Sequence, residues 1–309
     1  MNSNTFKPAD DTLKGVRILS VALNLPGPAA LMRLADMGAK CTKLEPLPPA
    51  ALLKGATSDP MGLYAPHAYA HLHAGVKVVQ ADLKSDKGQA QLHKLLATCD
   101  VLLTSFRPSA LKKLGMTWAD LHVQFPALNM VSIVGSAGSG AEIPGHDLTY
   151  LAANDLVTDL KLPATLFADM AGSLQASEAV LKAMWQRAKP GRSQGKGVFH
   201  EVAPEDAAAY LALPRRWGLT SPKGSVGGAH AGYAVYACKN GRVAVAALEP
   251  HFAARLLEVA GVTAKSIAKN PMLLPSTRDK LAAFFATLTR KQVDAMAAAN
   301  DLPLHTMAI

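Results

Sequence analysis

The sequence predicts an α/β fold: an open, mostly parallel sheet with helices on both faces, joined to a smaller α+β region. Three observations predict it. Short apolar runs alternate with helical stretches from residue 16 to residue 134, and each interval is long enough for a crossover between parallel strands. After Pro222 the texture changes to two alternating strands around a tight turn. Half of the 309 residues are hydrophobic and 18% are charged, which supplies a full-sized core and excludes a disordered chain.

Taken in order, "VRILSVAL" (16–23) reads as a buried strand and "GPAALMRLADMGA" (27–39) as a helix with Pro28 in its first turn. "KCTKLE" (40–45) is the next strand and completes one β-α-β unit. "VKVVQADL" (76–83) follows as a strand, "KGQAQLHKLLATC" (87–99) as a helix and "VLLTSF" (101–106) as a strand. Two helical turns, "ALKKLG" and "WADLHVQF", lead to the strand "LNMVSIV" (128–134). Ligands in such sheets gather at the carboxyl ends of strands, here the loops after Leu23, Glu45, Phe106 and Val134. "SLQASEAVLKAMWQRA" (173–188) is an amphipathic helix that Pro190 and Gly191 stop, and "AKPGRSQGKG" (188–197) has linker composition. "GYAVYACKNGRVAVAALEP" (232–250) is a β-hairpin.

Thirty-two Lys and Arg against 23 Asp and Glu give a net charge of +9 and favour an anionic partner. The basic residues are dispersed and not interleaved with aromatics, so a small polyphosphate suits them better than nucleic acid. No apolar run approaches the roughly 18 residues of a membrane span, and no signal-like apolar segment opens the sequence. Cys41, Cys99 and Cys238 are too scattered for a disulfide framework or a zinc site, so a cytoplasmic protein without a membrane partner is expected. "VGSAGSG" (134–140) lacks the G-x-G-x-x-G spacing of a dinucleotide site.

The candidate site residues lie near strand ends and helix starts. Asp169, in "FADMAGS", precedes the helix 173–188, either as a capping acid or as a carboxylate held at a pocket edge to act as base or nucleophile. His146 stands at the corner "IPGHDLTYLA" after the glycine-rich loop, where a histidine is either structural or a proton-transfer group; Asp147 beside it orients the ring or starts the next helix. Glu249 ends the strand "RVAVAAL" before Pro250. Lys43 and Arg107, at or just after strand ends, are candidate phosphate contacts. His71 and His73 are spaced to share one face of a strand, but no third ligand accompanies them, and no metal is expected.

Six phrases occur together and in order: "LKGVRIL", "NLPGPAALMRLADMGAKCTKLEP", "VLLTSFRPSALKKLGMTWADL", "GHDLTYLA", "FADMAGSLQA" and "GYAVYACKNGRVAVAALEPHFAARLLEVAGV". Together they resemble the superfamily of family III CoA-transferases (CaiB/BaiF-like) and α-methylacyl-CoA racemases. The resemblance implies a Rossmann-like large domain over 1–195 completed by about 290–309, a linker over 196–219, a smaller domain over 220–288, and an interlocked homodimer. It also implies acyl-CoA or CoA as the substrate, with no other cofactor.

By the same resemblance, Asp169 matches the catalytic aspartate of both branches and His146 the histidine of the racemase branch. Glu249 matches the glutamate of the "EP" motif, which supports the histidine side across the dimer. Racemisation of a 2-methylacyl-CoA needs two titratable groups flanking the α-carbon, and His146 and Asp169 supply them. Backbone N–H groups at the start of the helix after Asp169 are the expected donors to the enolate oxygen. Two other readings follow: CoA transfer between carboxylic acids through an Asp169 acyl anhydride and an aspartyl-CoA thioester, and CoA binding without catalysis. The last is suggested by the first and third of three departures from the family pattern. The stretch between Asp206 and Gly227 is shortened, Val198 stands where a glutamine is typical, and "HLHAGVKVVQADL" replaces a more basic phrase.

Overall fold

The computed structural model describes residues 10–48, 57–189, 195–263 and 270–308, which divide into two compact units, Met1–Ala212 and Leu213–Ile309. In the first, strands β1 (Arg17–Ser20), β2 (Lys40–Glu45), β3 (Lys77–Gln80), β4 (Val101–Thr104), β5 (Asn129–Ile133) and β6 (Phe199–Val202) form one sheet in the order β3-β2-β1-β4-β5-β6. Every neighbouring pair is parallel, with Ile18 of β1 in register with both Cys41 of β2 and Val101 of β4. This is the doubly wound order, in which the chain runs outward from β1 to β3 and then returns to build the other half from β4. The connections leaving β1 and β4 therefore diverge, and a crevice opens between them.

The alternation of side chains along each strand divides the apolar residues between two faces. Ile18, Val101, Leu103, Val131 and Ile133 pack on one side with Leu31 and Leu34 of the helix Pro26–Asp36 and with Ala176, Ala179 and Val180 of the long helix Phe167–Ala188. Leu19, Leu44, Leu102 and Met130 pack on the other with Leu92, Leu96, Leu111 and Leu121. At roughly 1.5–3 kcal/mol for each fully buried aliphatic side chain, these two layers are the main stabilisation of the unit. Both faces are covered, which is why the strands read as nearly continuous apolar runs.

The segment 196–219, expected to be a linker, instead supplies strand β6 and the helix Pro204–Leu211 to the first unit. The composition misleads because β6, "FHEV", is an edge strand in which only Val202 is buried, so its polar residues do not mark a loop.

In the second unit, β7 (Tyr233–Cys238), β8 (Gly241–Ala246) and β9 (Leu304–Met307) form an antiparallel sheet in the order β7-β8-β9. The hairpin read from the sequence closes at the Cys238–Gly241 pair. Tyr236, Val243 and Val245 meet Leu256, Leu281 and Phe285 in one core. The C-terminal segment also departs from expectation: Leu304–Met307 pairs with β8, with Val245 opposite Leu304, so it completes this small sheet and not the parallel one. A central β8 with alternate buried valines needs a partner on both edges, and β9 is that second partner. Among the described residues, no helix is long and apolar enough to cross a membrane.

Candidate active site

A cavity of about 250 Å³ lies at the carboxyl ends of the strands of the first unit. Leu23, Asn24 and Pro26 reach it from the end of β1, Ser105 and Arg107 from β4, Val134 and Gly135 from β5, and Pro204 from β6. It is therefore at the switch point of the sheet, where the strand order reverses. The remaining wall comes from Ile143–His146, Tyr150 and Asp169. His146, Asp169 and Arg107, far apart in sequence, thus share one cavity.

Asp169 sits inside a helix and not ahead of one. The helix begins at Phe167, six residues before the start expected at 173, because neither Gly172 nor Ser173 breaks it. Ser173 turns its hydroxyl back onto the Met170 carbonyl at 2.7 Å, and Gly172 lies against Pro204, where a Cβ would come within 3.0 Å of the ring. Asp169 is consequently in the first helical turn, where the dipole favours an anion. Burial and, after it, the charge of Asp147 nevertheless push its carboxyl up to about 7. Asp147 is 4% exposed, opens the helix Asp147–Ala153 and accepts a hydrogen bond from the Asp169 backbone N–H at 3.0 Å.

His146 caps that same short helix in extended backbone conformation and is exposed to the cavity. The Thr149 hydroxyl accepts the His146 N–H at 3.0 Å and sits 2.7 Å from its carbonyl oxygen, fixing the corner. One turn later Tyr150, 8% exposed, carries its ring under the cavity. The ring needs two glycines: a Cβ on Gly145 would come within 2.5 Å of its edge, and one on Gly135 within 2.5 Å of its hydroxyl. Burial, followed by the carboxylates of Asp169 and Glu205, raises the Tyr150 phenol.

Arg107 is exposed at the cavity wall, as a phosphate or carboxylate contact would be. Lys43 is not. It is fully buried, and its Nζ meets Glu45 Oε1 at 3.1 Å, His73 Nε2 at 3.0 Å and the carboxylate of Asp59. An ammonium closed in by two carboxylates has no face to offer a phosphate, so this part of the sequence reading is corrected. His73 is not on a strand either: it follows the helix Pro66–Leu72, started by Pro66, and its Nδ1 lies 2.7 Å from the Tyr69 carbonyl. Donation from Nδ1 leaves Nε2 free to accept from Lys43, and burial together with the Lys43 charge lowers the His73 pKa.

Glu45, Asp59 and His73 converge to within 4.8 Å of one another as metal ligands do, and the cation among them is the lysine itself. Asp59 also accepts the Asn24 N–H at 3.3 Å and the Met61 N–H at 2.9 Å, which ties the cluster to the cavity loop. Glu249 belongs to the second unit, where it caps the helix Pro250–Val259 at the end of β8 and is exposed.

The model of CoA-transferase family III matches residues 13–308. The chain belongs to this family. Among family III relatives, it is 28% identical over 299 residues to the α-methylacyl-CoA racemase of Mus musculus, covering 91% of this chain and 73% of the racemase. It is also 33% identical over 156 residues to the cinnamoyl-CoA:phenyllactate CoA-transferase of Clostridium sporogenes, covering 49% of this chain and 36% of the transferase. The crystal structure of Rv3272 from Mycobacterium tuberculosis superposes with a TM-score of 0.78 at 22% identity, over 98% of this chain and 85% of that one, a likeness of fold. Racemases and transferases, both enzymes, thus flank this family III chain, and CoA thioesters are the substrates the family handles.

Three cavity residues of the family III chain escape a reading of its sequence. Tyr150 is signalled only by its i+4 spacing from His146 on a helix too short to show a period. Asn24 has a left-handed backbone, φ 62°, which Asn tolerates better than most residues but does not announce. Ser105 receives the Leu23 N–H at 3.0 Å across the crevice, a contact visible only once β1 and β4 are neighbours.

Proposed function

We propose that the chain racemises a 2-methylacyl-CoA thioester by removing and returning its α-proton, with His146 and Asp169 as the two groups. The observation that carries this reading is the carboxyl of Asp169, held at about 7 in the same cavity as a histidine. A general base or acid works best when its pKa lies near the operating pH, and an ordinary aspartate is some three units too acidic.

One group takes the proton from the α-carbon, and the C–H electron pair moves onto the thioester carbonyl to give an enolate. The other returns a proton to the opposite face. The carbon–sulfur bond to CoA stays intact, and the roles exchange with the handedness of the substrate. Arg107, exposed on the cavity wall, is assigned to the anionic part of CoA. Glu249 is assigned, from the family motif, to supporting the histidine side in a homodimer.

The transferase relative favours a second reading. There the Asp169 carboxylate attacks the thioester carbonyl and expels CoA thiolate, leaving an acyl anhydride. The thiolate then attacks the aspartyl carbonyl, releasing the first carboxylate and forming an aspartyl-CoA thioester. A carboxyl at about 7 is only half ionised at neutrality, which suits proton exchange better than attack.

The test is NMR of 2-methylacyl-CoA and of an unbranched acyl-CoA in D₂O with the parent protein. Deuterium uptake at the α-carbon with inversion is expected. CoA passing to an added carboxylate, without α-deuteration, would place the chain on the transferase side.

A further inference from the structure

An enolate forming in this cavity needs a hydrogen-bond donor at the thioester oxygen, and the backbone N–H groups of Asp169 and Met170 are already engaged. The long helix starts at Phe167, so the N–H of Met170 is already bonded to the Leu166 carbonyl at 3.0 Å. The N–H of Asp169 is taken by Asp147. Of the other side chains lining the cavity, Arg107 is exposed and assigned to the anionic part of CoA, and Ser105, only half-buried, accepts the Leu23 N–H while keeping its own O–H. Tyr150 is different. It is more than nine-tenths buried, its hydroxyl has no hydrogen-bond partner among the described residues, and the side chain lines the cavity that Asp169 and His146 share.

We infer that the Tyr150 hydroxyl is the donor that meets the thioester carbonyl oxygen as negative charge develops on it. Gly135 and Gly145 are the means by which the ring reaches this place, since a side chain on either would displace it. Burial and the neighbouring carboxylates keep the phenol protonated, hence a donor, across the neutral range. The donor is fixed before substrate arrives, so stabilising the oxygen costs no reorganisation. This assignment rests on the reading that a CoA thioester occupies the cavity, but it does not depend on which group moves the proton. The same oxygen becomes negative when Asp169 attacks the thioester as a nucleophile.

Two measurements on Tyr150→Phe test it, with thermal melts showing that the variant folds like the parent. In the first, α-proton exchange or CoA transfer, whichever the parent performs, falls about 100-fold in kcat with KM within threefold. In the second, acetoacetyl-CoA is titrated into both proteins and its enolate is followed in the ultraviolet, a signal that requires no turnover. The parent converts bound probe to the enolate; Tyr150→Phe binds it at least tenfold more weakly and leaves it in the keto form, while free CoA binds both alike. Equal enolate fraction and equal affinity in the two proteins overturn the assignment, as does a parent that forms no enolate. A parent that binds the enolate through Tyr150 yet neither exchanges protons nor transfers CoA would remove the proposed reaction and leave the donor standing.

Discussion

Asp147 places a carboxylate oxygen 3.0 Å from the backbone nitrogen of Asp169 and accepts its hydrogen bond. One contact thus satisfies a free donor in the first turn of the long helix and sets a negative charge beside the Asp169 carboxyl. Both consequences can be measured separately, because Asn keeps the acceptor and loses the charge. In Asp147→Asn the carboxyl of Asp169 should titrate at lower pH, by up to about one unit, with the helix intact. A carbon-detected NMR titration of Asp169 checks this; an unmoved titration would mean that burial alone sets its value.

In the proposed racemisation the same carboxyl sets a pH dependence. In the direction where Asp169 takes the proton, the Asp169 limb of kcat/KM should rise with pH through about 7; where Asp169 gives the proton, it should fall over that interval. Rates of deuterium uptake from the two enantiomers between pH 5 and 9 would show the opposed profiles. Folding responds as well. The folded pKa lies above the unfolded value of 3.8, so the group's stabilising contribution is complete below 3.8 and lost as pH rises through about 7. Asp169→Asn should therefore be more stable than the parent at pH 8, by on the order of 1 kcal/mol after allowing for water in the cavity, and the difference should vanish at low pH.

The Lys43 cluster is the site's foundation. Lys43→Met removes the cation that pairs with two buried carboxylates, and urea unfolding should show a loss of about 3–5 kcal/mol. Burial alone would raise Glu45, but the hydrogen bonds from Thr57 and Tyr69 and the Lys43 charge hold it below the ordinary glutamate value. Its contribution is thus present above the unfolded pKa of 4.5 and lost as pH falls through the lower folded value, so the parent should lose stability in acid. A melt that does not change between pH 5 and 3 would contradict this.

Gly145→Ala should act through Tyr150. The new methyl group would meet the tyrosine ring, at a cost of about 1–3 kcal/mol if the ring stays and with loss of activity if it moves. Comparing Gly145→Ala with Gly145→Ala/Tyr150→Phe measures the coupling: additive losses would show that the two residues do not act on each other.

The parallel sheet was legible because strands buried on both faces leave continuous apolar runs, and β2 ends where the sequence places it, at Lys40 and Glu45. Two of the four edge strands were not: "FHEV" and "LHTM" are short and mostly polar, and only pairing with β5 and β8 identifies them. For the site, His146, Asp169 and Arg107 could be read from their places at strand ends and loops, and the structure brings them to one cavity. Lys43 could not be placed correctly from its strand alone. Whether a lysine near a strand end faces ligand or core depends on Asp59 and His73, 16 and 30 residues away, and no local pattern records them. Tyr150 escaped for the complementary reason, since the role proposed for it follows from a hydroxyl without a hydrogen-bond partner among the described residues.

The central claim is that His146 and Asp169 face the α-carbon from opposite sides. Its most direct test is α-deuteration of the separate R and S forms of a 2-methylacyl-CoA by the single variants His146→Ala and Asp169→Ala. Each variant should abolish exchange from one enantiomer by at least 100-fold, retain measurable exchange from the other, and fail to interconvert them, with opposite preferences in the two variants. Equal loss on both enantiomers from Asp169→Ala, with His146→Ala indistinguishable from the parent, would contradict the two-group account.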